Sequence, residues 1–308
     1  MLAKSLLIAA AFASAIPAAA RTAQRAVPLA AKAALPSRAV FASDRIVVTT
    51  VGSGPDVILI PGLSSSPRVW ASTVAAVPGY RYHLVQVKGF AGVPAEANAT
   101  GNVAAPVAAE IARYITAAKL TRPAVIGHSM GGTIGLMLAA RNPQAVGKLM
   151  VVDMMPFMGA VFGPPGASAE SIRPMAEQIR TMMSAPSSPQ TEQMQTQTIN
   201  GMVRTTSARP AILADSRSSD RKASTNSFYE LLTTDLRPEL PRITAPVKVL
   251  YVTPTGVPLT DAQMDGFYKS AYAAVPNVTL TRVPESAHFI MIDQAARFQA
   301  EVKSFLAK

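Results

Sequence analysis

Ser129 stands between Gly127 and Gly131 in "AVIGHSMGGTIGLMLAA", residues 124–140, where an apolar run gives way to a small-residue helical pattern. A hydroxyl is a poor nucleophile until a base takes its proton. Three histidines are available, His83, His128 and His288, and they lie far apart in sequence. The chain has no cysteine, which excludes a thiolate nucleophile and thiolate metal ligation. No His-x-x-x-His spacing occurs, so a zinc site has no support. The residue types point to attack by a serine hydroxyl, with no metal and no other cofactor required.

A Gly-x-Ser-x-Gly match acquires meaning from its setting. "PAVIG" (123–127) reads as a buried strand and "MGGTIGLMLAARNP" as a helix stopped by Asn-Pro. The two glycines clear space for a tight, strained turn with Ser129 at its tip. Free N–H groups at the start of the helix then face whatever bonds to that serine. Further strands are read at 45–52, 56–60, 80–87, 146–153, 246–252 and 277–284. Helices are read in "RVWASTVAAV", at 105–119, near 261–274 and at the C-terminal end. Such alternation predicts a mostly parallel sheet flanked by helices. The pattern breaks over 154–240, which is rich in Met, Ser, Pro and Gln and lacks a β-rich run. That segment is expected to be a helical cap inserted after the strand ending at Asp153, between core segments 44–153 and 241–308.

The strand, Gly-His-Ser-Met-Gly turn and helix, together with the place of the insertion, resemble the α/β-hydrolase superfamily over about residues 44–308. The resemblance implies that Ser129 is the nucleophile. It also implies that His288, in "VPESAHFIMID" after the last strand, is the base. His128, inside the turn, is read as packing, and His83 as a strand residue of the core or surface. An oxyanion hole needs two backbone donors. Met130, after the nucleophile, supplies one. The family pattern His-Gly-x with an aromatic seven residues on corresponds to Pro61-Gly62-Leu63 and Trp70, which makes Leu63 N–H the second donor. Pro61 replaces the usual histidine.

The acid has two candidates. Asp153 ends "KLMVVD" and is the first choice. Asp261 follows the strand "PVKVLYV", where the family more often carries the acid, but Thr260-Asp261 equally suits a helix cap. Asp293, five residues after His288, is read as the start of the last helix.

The cap holds Met154, Met155, Met158 and further methionines, which suit pockets of varied apolar shape or ordinary helix packing. Met154, Phe157, Met158, Phe162 and Trp70 are expected to line a substrate pocket. With no Lys/Arg pair placed as an anion clamp, the expected substrate is a small, uncharged, moderately apolar ester or related acyl compound. Carboxylesterase or lipase-like activity is the first expectation. Amidase, lactonase, C–C hydrolase and cofactor-free haloperoxidase-like members share these parts. An epoxide hydrolase or haloalkane dehalogenase would need Asp where Ser129 stands. The rival from another class is a non-catalytic ligand-binding protein on the same fold.

Hydrophobic residues make up 49% of the 308, enough to bury a sizeable core without disulfides. The N-terminal "MLAKSLLIAAAFASAIPAAARTAQ" has a positive start, an apolar middle and a small-residue end. It reads as a signal peptide over 1–20, with periplasmic or secreted localisation. Its apolar run falls short of the roughly 20 residues that span a bilayer. Residues 21–43, rich in Ala, Pro and Arg, read as a loose arm. The net charge of +11 is scattered and carries no nucleic-acid motif. It leaves open a weak contact with an anionic membrane surface. No protein partner is expected.

Overall fold

The computed structural model describes residues 38–164, 166–254, 256 and 258–307. The expected signal peptide, 1–20, and the arm up to residue 37 lie outside the described residues. The strands are β1 (Arg38–Ala42), β2 (Ile46–Gly52), β3 (Asp56–Ile60), β4 (Arg81–Val87), β5 (Ala124–His128), β6 (Lys148–Val152), β7 (Val247–Tyr251) and β8 (Val278–Arg282). They form one sheet in the order β1-β2-β4-β3-β5-β6-β7-β8. β1 and β2 pair antiparallel, as do β2 and β4, and every pairing from β4 to β8 is parallel. This is the mostly parallel sheet that the alternating pattern predicts.

The chemistry of β5 explains its central place. All of its residues are buried, and a parallel strand covered on both faces reads as a continuous apolar run. Alternate side chains of the strands feed two cores. Ile58, Ile60, Val125, Leu149 and Val249 join one, and Val57, Leu59, Ile126, Met150 and Leu250 the other. Helices α1 (Ala71–Ala76), α2 (Ala104–Ala117) and α3 (Met130–Arg141) follow β3, β4 and β5. α3 is buried along its whole length except Arg141, as a helix apolar on all sides must be.

The arm needs one correction. Its last residues are not loose: Arg38–Ala42 form β1, paired with β2 through Phe41↔Val48 and Ala42↔Val47. The short β-forming run Val40-Phe41 is hidden in an Ala- and Arg-rich context. Phe41 packs on Tyr114 with ring centroids 5.1 Å apart, and the Arg113 guanidinium lies 4.8 Å over its ring.

Between β6 and β7 the chain forms α4 (Gly159–Phe162), α5 (Ala169–Ser184), α6 (Pro189–Met202), α7 (Arg209–Ser218) and α8 (Arg221–Thr233). The serines that broke the sequence pattern start these helices. Ser168 with Ser171, and Ser188 with Thr191, make reciprocal capping boxes at α5 and α6. Asp220 accepts the Ala223 amide at 2.8 Å to cap α8. The cap is joined to the core by a buried carboxylate. Glu230 of α8 accepts the amides of Val103, Ala104 and Ala105 at 2.7, 2.7 and 2.8 Å. These are the unpaired donors at the N-terminus of α2, where a negative charge is favoured. The core closes with α9 (Asp261–Ala271), α10 (Ile290–Asp293) and α11 (Ala295–Ala307). No described helix is long and apolar enough to cross a membrane.

Candidate active site

Ser129 takes φ 53 and ψ −122, a conformation strained for any residue with a side chain. The sequence permits it by clearing the surroundings. A Cβ on Gly127 would sit 2.1 Å from the Gly131 carbonyl oxygen. One on Gly131 would sit 2.2 Å from the oxygen of Ile60 and 2.7 Å from that of Pro61. The Ser129 amide donates to Val152 at 2.9 Å, and its carbonyl accepts Gly132 and Thr133 at 2.7 and 3.2 Å to open α3. Ser129 therefore stands at the carboxyl end of β5 and at a helix N-terminus.

Asp153 follows β6, the neighbour of β5, and opens onto the same edge of the sheet. Its Oδ2 lies 2.6 Å from His288 Nδ1. Its Oδ1 accepts the Val252 amide at 3.1 Å and the Tyr268 hydroxyl at 3.3 Å. Burial first, then the Asp153 charge, pushes the Tyr268 phenol well above its ordinary value. That phenol stays protonated and donates. With a carboxylate on Nδ1, His288 carries its proton there and presents Nε2 as the basic nitrogen. Asp261 is placed elsewhere. It accepts the Thr253 hydroxyl and pairs with Arg282, both at 2.6 Å, at the start of α9. The geometry joins Asp153, and not Asp261, to His288.

The amides of Leu63 and Met130 meet no acceptor among the described residues. The Pro61-Gly62-Leu63 loop presses on the turn: a Cβ at Gly62 would lie 3.1 Å from Ser129 Cβ and 3.0 Å from His128 Nδ1. His128 does more than pack. It is fully buried, and its Nε2 donates to the His288 carbonyl at 3.0 Å. Its Nδ1 meets no hydrogen-bond partner among the described residues. Burial, then the neighbouring His288, holds it well below the ordinary histidine value, so it stays neutral.

These features coincide with a family assignment, for residues 57–301 match the model of the alpha/beta hydrolase family. The chain belongs to that family. A pimeloyl-[acyl-carrier protein] methyl ester esterase of Vibrio atlanticus is 26% identical over 281 residues, covering 86% of this chain and all of that protein. An esterase from Exiguobacterium antarcticum superposes with a TM-score of 0.71 at 20% identity, over 85% of this chain and 96% of its own. The enol-lactonase of Burkholderia xenovorans gives 0.67 at 19%, with the same coverages. At such identities the structural likenesses establish the fold of this hydrolase.

Three residues expected to line a substrate pocket are spent on packing. Trp70 is wholly buried and stacks on Phe298 at 6.1 Å between centroids. Phe157 is buried with Ile172, Ala176 and Leu232 in the cap's own core, under the Arg237 guanidinium. Met154 is buried against α3, its Cβ 3.2 Å from where a Gly132 Cβ would be. Met158 and Phe162 keep partial exposure. Apolar type and nearness to Asp153 in sequence do not separate pocket from core. Among the described residues no group of His, Asp or Glu is placed to hold a metal ion. A concavity of about 270 Å³ lies at the opposite edge of the sheet, beside Asp56, Arg122 and Lys148. There Asp56 pairs with Arg81 and His83, and Lys148 donates to the Phe305 and Leu306 carbonyls.

Sequence reasoning missed Asp293. It ends α10 rather than beginning the last helix. Its carboxylate accepts the amides of Ala287 at 2.9 Å, Thr205 at 2.8 Å and Arg204 at 3.1 Å. It thereby ties the His288 loop to the cap. The one available signal was an acid in the otherwise apolar "FIMID".

Proposed function

We propose that this hydrolase cleaves an uncharged, moderately apolar carboxylic ester through an acyl-enzyme. The observation that carries the reading is the 2.6 Å contact of Asp153 Oδ2 with His288 Nδ1, with the His288 ring 4.5 Å from that of His128, the residue before the strained Ser129. His288 Nε2 takes the Ser129 proton as Oγ attacks the ester carbonyl. The oxygen that becomes negative is received by the Leu63 and Met130 amides. His288 then gives its proton to the leaving alkoxide, and the alcohol departs. Water, deprotonated by the same nitrogen, attacks the acyl-enzyme; the Ser129–acyl bond breaks, Ser129 Oγ takes that proton back from His288, and the acid is released. Asp153 stabilises the imidazolium in both halves. An ester is favoured because a relative matched along its whole length is named as a methyl ester esterase.

A fluorophosphonate probe and a panel of p-nitrophenyl esters of increasing acyl length test this. Labelling should fall on Ser129, and turnover should peak at one chain length. Ser129→Ala and His288→Ala should each remove most activity, and the double variant should be little worse, because triad members act as a unit. A folded wild-type protein that neither labels nor hydrolyses would refute the reading in favour of a ligand-binding protein. Faster cleavage of a lactone or amide would change the bond, not the machinery. We further propose export, on the signal-peptide pattern of 1–20. The mature protein should begin at or near Arg21, and an intact Met1 on a membrane-embedded protein would oppose this.

A further inference from the structure

We propose that Asp215, on cap helix α7, is a positioning residue for the oxyanion hole. The proposal rests on the serine-hydrolase reading, in which the Leu63 amide is one of the two donors. Leu63 begins the run Leu-Ser-Ser-Ser, whose serines have no role in the chemistry described so far. The loop turns sharply there, with the Ser65 amide donating to Gly62 O at 3.2 Å and the Ser65 hydroxyl to Leu63 O at 3.3 Å. Ser64 has φ 54, a left-handed conformation that a serine keeps only when its surroundings enforce it.

Two cap helices supply outside holds. Ser64 Oγ lies 2.9 Å from Ser224 Oγ of α8. Ser66 donates twice to one carboxylate oxygen of Asp215, from its amide at 3.2 Å and its hydroxyl at 2.6 Å. The other carboxylate oxygen pairs with Arg68, whose Nε donates to Ser66 Oγ at 3.1 Å. Asp215 is buried while Arg68 is largely open to solvent. An ion pair with one partner open to solvent is a weak source of stability. Holding two donors of one residue in fixed directions is a geometric task, and that residue lies three positions from Leu63.

Glu230 provides the contrast. It too is a buried cap carboxylate that accepts backbone amides, but those of Val103, Ala104 and Ala105, away from the loop. Loss of either anchor should loosen the cap. Asp215 grips the loop itself through Ser66, whereas Glu230 bonds no residue of the loop, so loss of Asp215 should misplace the Leu63 amide far more.

The test compares Asp215→Ala, Asp215→Asn, Ser66→Ala and Glu230→Ala. Each is measured for kcat and KM on a p-nitrophenyl ester, for inhibition by a trifluoromethyl ketone and for melting temperature. The ketone's hemiketal oxygen occupies the oxyanion position. Misplacing a catalytic group by about 1 Å can cost on the order of a hundredfold. Asp215→Ala should therefore lower kcat by about tenfold to a hundredfold with little change in KM, and weaken the ketone by a similar factor. Asp215→Asn keeps an oxygen for both Ser66 donors and should recover most of that loss. Glu230→Ala should melt lower yet keep kcat within about threefold, because it bonds no residue of the oxyanion loop and the Asp215 hold on Ser66 remains.

A folded Asp215→Ala with wild-type kcat and ketone affinity would overturn the proposal. So would a Glu230→Ala that loses as much kcat for the same drop in melting temperature. If Asp215→Ala does not fold, Ser66→Ala decides: a loss of kcat supports the proposal, and wild-type kcat and ketone affinity overturn it. A wild-type protein that neither hydrolyses esters nor labels at Ser129 overturns the hydrolase reading itself and takes this proposal with it.

Discussion

Replacing Asp153 by Asn is the sharpest perturbation of the proposed chemistry, because the size of its effect follows from the contacts. Asp153 Oδ1 faces two donors, the Val252 amide at 3.1 Å and the Tyr268 hydroxyl at 3.3 Å. Oδ2 faces His288 Nδ1 at 2.6 Å. An asparagine has one oxygen and one NH₂, and it settles with the oxygen toward the two donors, since the reverse would set N–H against N–H. The NH₂ then faces His288 Nδ1, which must accept instead of donate. That fixes the neutral imidazole with its proton on Nε2, the nitrogen that has to take the Ser129 proton. The wrong tautomer and the lost carboxylate together cost on the order of 10⁴ in turnover, or about 5.4 kcal/mol of transition-state stabilisation. Packing is nearly unchanged, so the melting temperature should move little.

Asp261→Asn is the matched comparison. It weakens an exposed pair with Arg282 and a bond from Thr253, contacts of the kind worth about 0–1 kcal/mol. Its turnover should stay within about twofold of wild type. Both variants are assayed on one ester at saturating concentration, with melting followed by circular dichroism. Asp153→Asn within tenfold of wild type would refute the tautomer argument. A dead Asp261→Asn beside an active Asp153→Asn would move the acid to the loop after β7.

Other outcomes follow from the same contacts. Gly131→Ala brings a Cβ within 2.2 Å of Ile60 O and 2.7 Å of Pro61 O. It should lower stability by about 1–3 kcal/mol and lower kcat as well, because the atoms that must give way belong to the oxyanion loop. Wild-type kinetics would argue against a rigid turn. Trp70→Phe should cost about 1–3 kcal/mol in urea unfolding and leave KM unchanged, whereas a raised KM would restore Trp70 to the pocket. His128 should make stability fall in acid. Burial lowers its value in the folded state, so below its ordinary 6.5 the unfolded chain takes a proton that the folded chain refuses. Stability then drops by up to about 1.4 kcal/mol per pH unit as pH falls below 6.5, until the folded protein also takes the proton. A His128→Phe variant should lose that share of the slope, and identical slopes for both proteins would sink the argument.

What the sequence reveals depends on how local the physics is. The turn around Ser129 was legible because its glycines, its apolar strand and its helix are contiguous. The sheet was legible because each parallel strand is a short apolar run. The choice between Asp153 and Asp261 was not fixed by such patterns, since one follows a strand and the other opens a helix, and either place suits a cap or turn as well as a catalytic acid. What separates them is the approach of His288 across 135 positions of sequence. β1 was missed because its β-forming residues are two in a run of Ala and Arg, and its stability comes from the open edge of β2 and from Tyr114. The Asp215, Glu230 and Asp293 anchors were invisible for a similar reason. An acid that accepts buried backbone amides looks, in sequence, like any surface acid.

The position of Asp153 explains how an acid after β6 can meet a histidine that more often meets one after β7. The two strands are neighbours, and the Asp153 amide donates to Leu250 O of β7 at 2.7 Å. The carboxylate in turn accepts Val252 N–H, just past the end of β7. The acid leaves β6 but is held by β7, so its oxygen arrives at the edge where an acid on β7 itself would be used. Asp153 achieves this through a left-handed backbone, φ 52, which turns its side chain toward the neighbouring strand end. The support continues beneath it. Tyr268, whose hydroxyl reaches Asp153, is stacked between Tyr251 and Tyr272 with centroids 4.0 and 6.2 Å away. Tyr272 in turn donates to Met154 O at 2.6 Å, on the residue after the acid. Three tyrosines, one on β7, one on α9 and one just past its end, therefore brace an acid that β6 delivers.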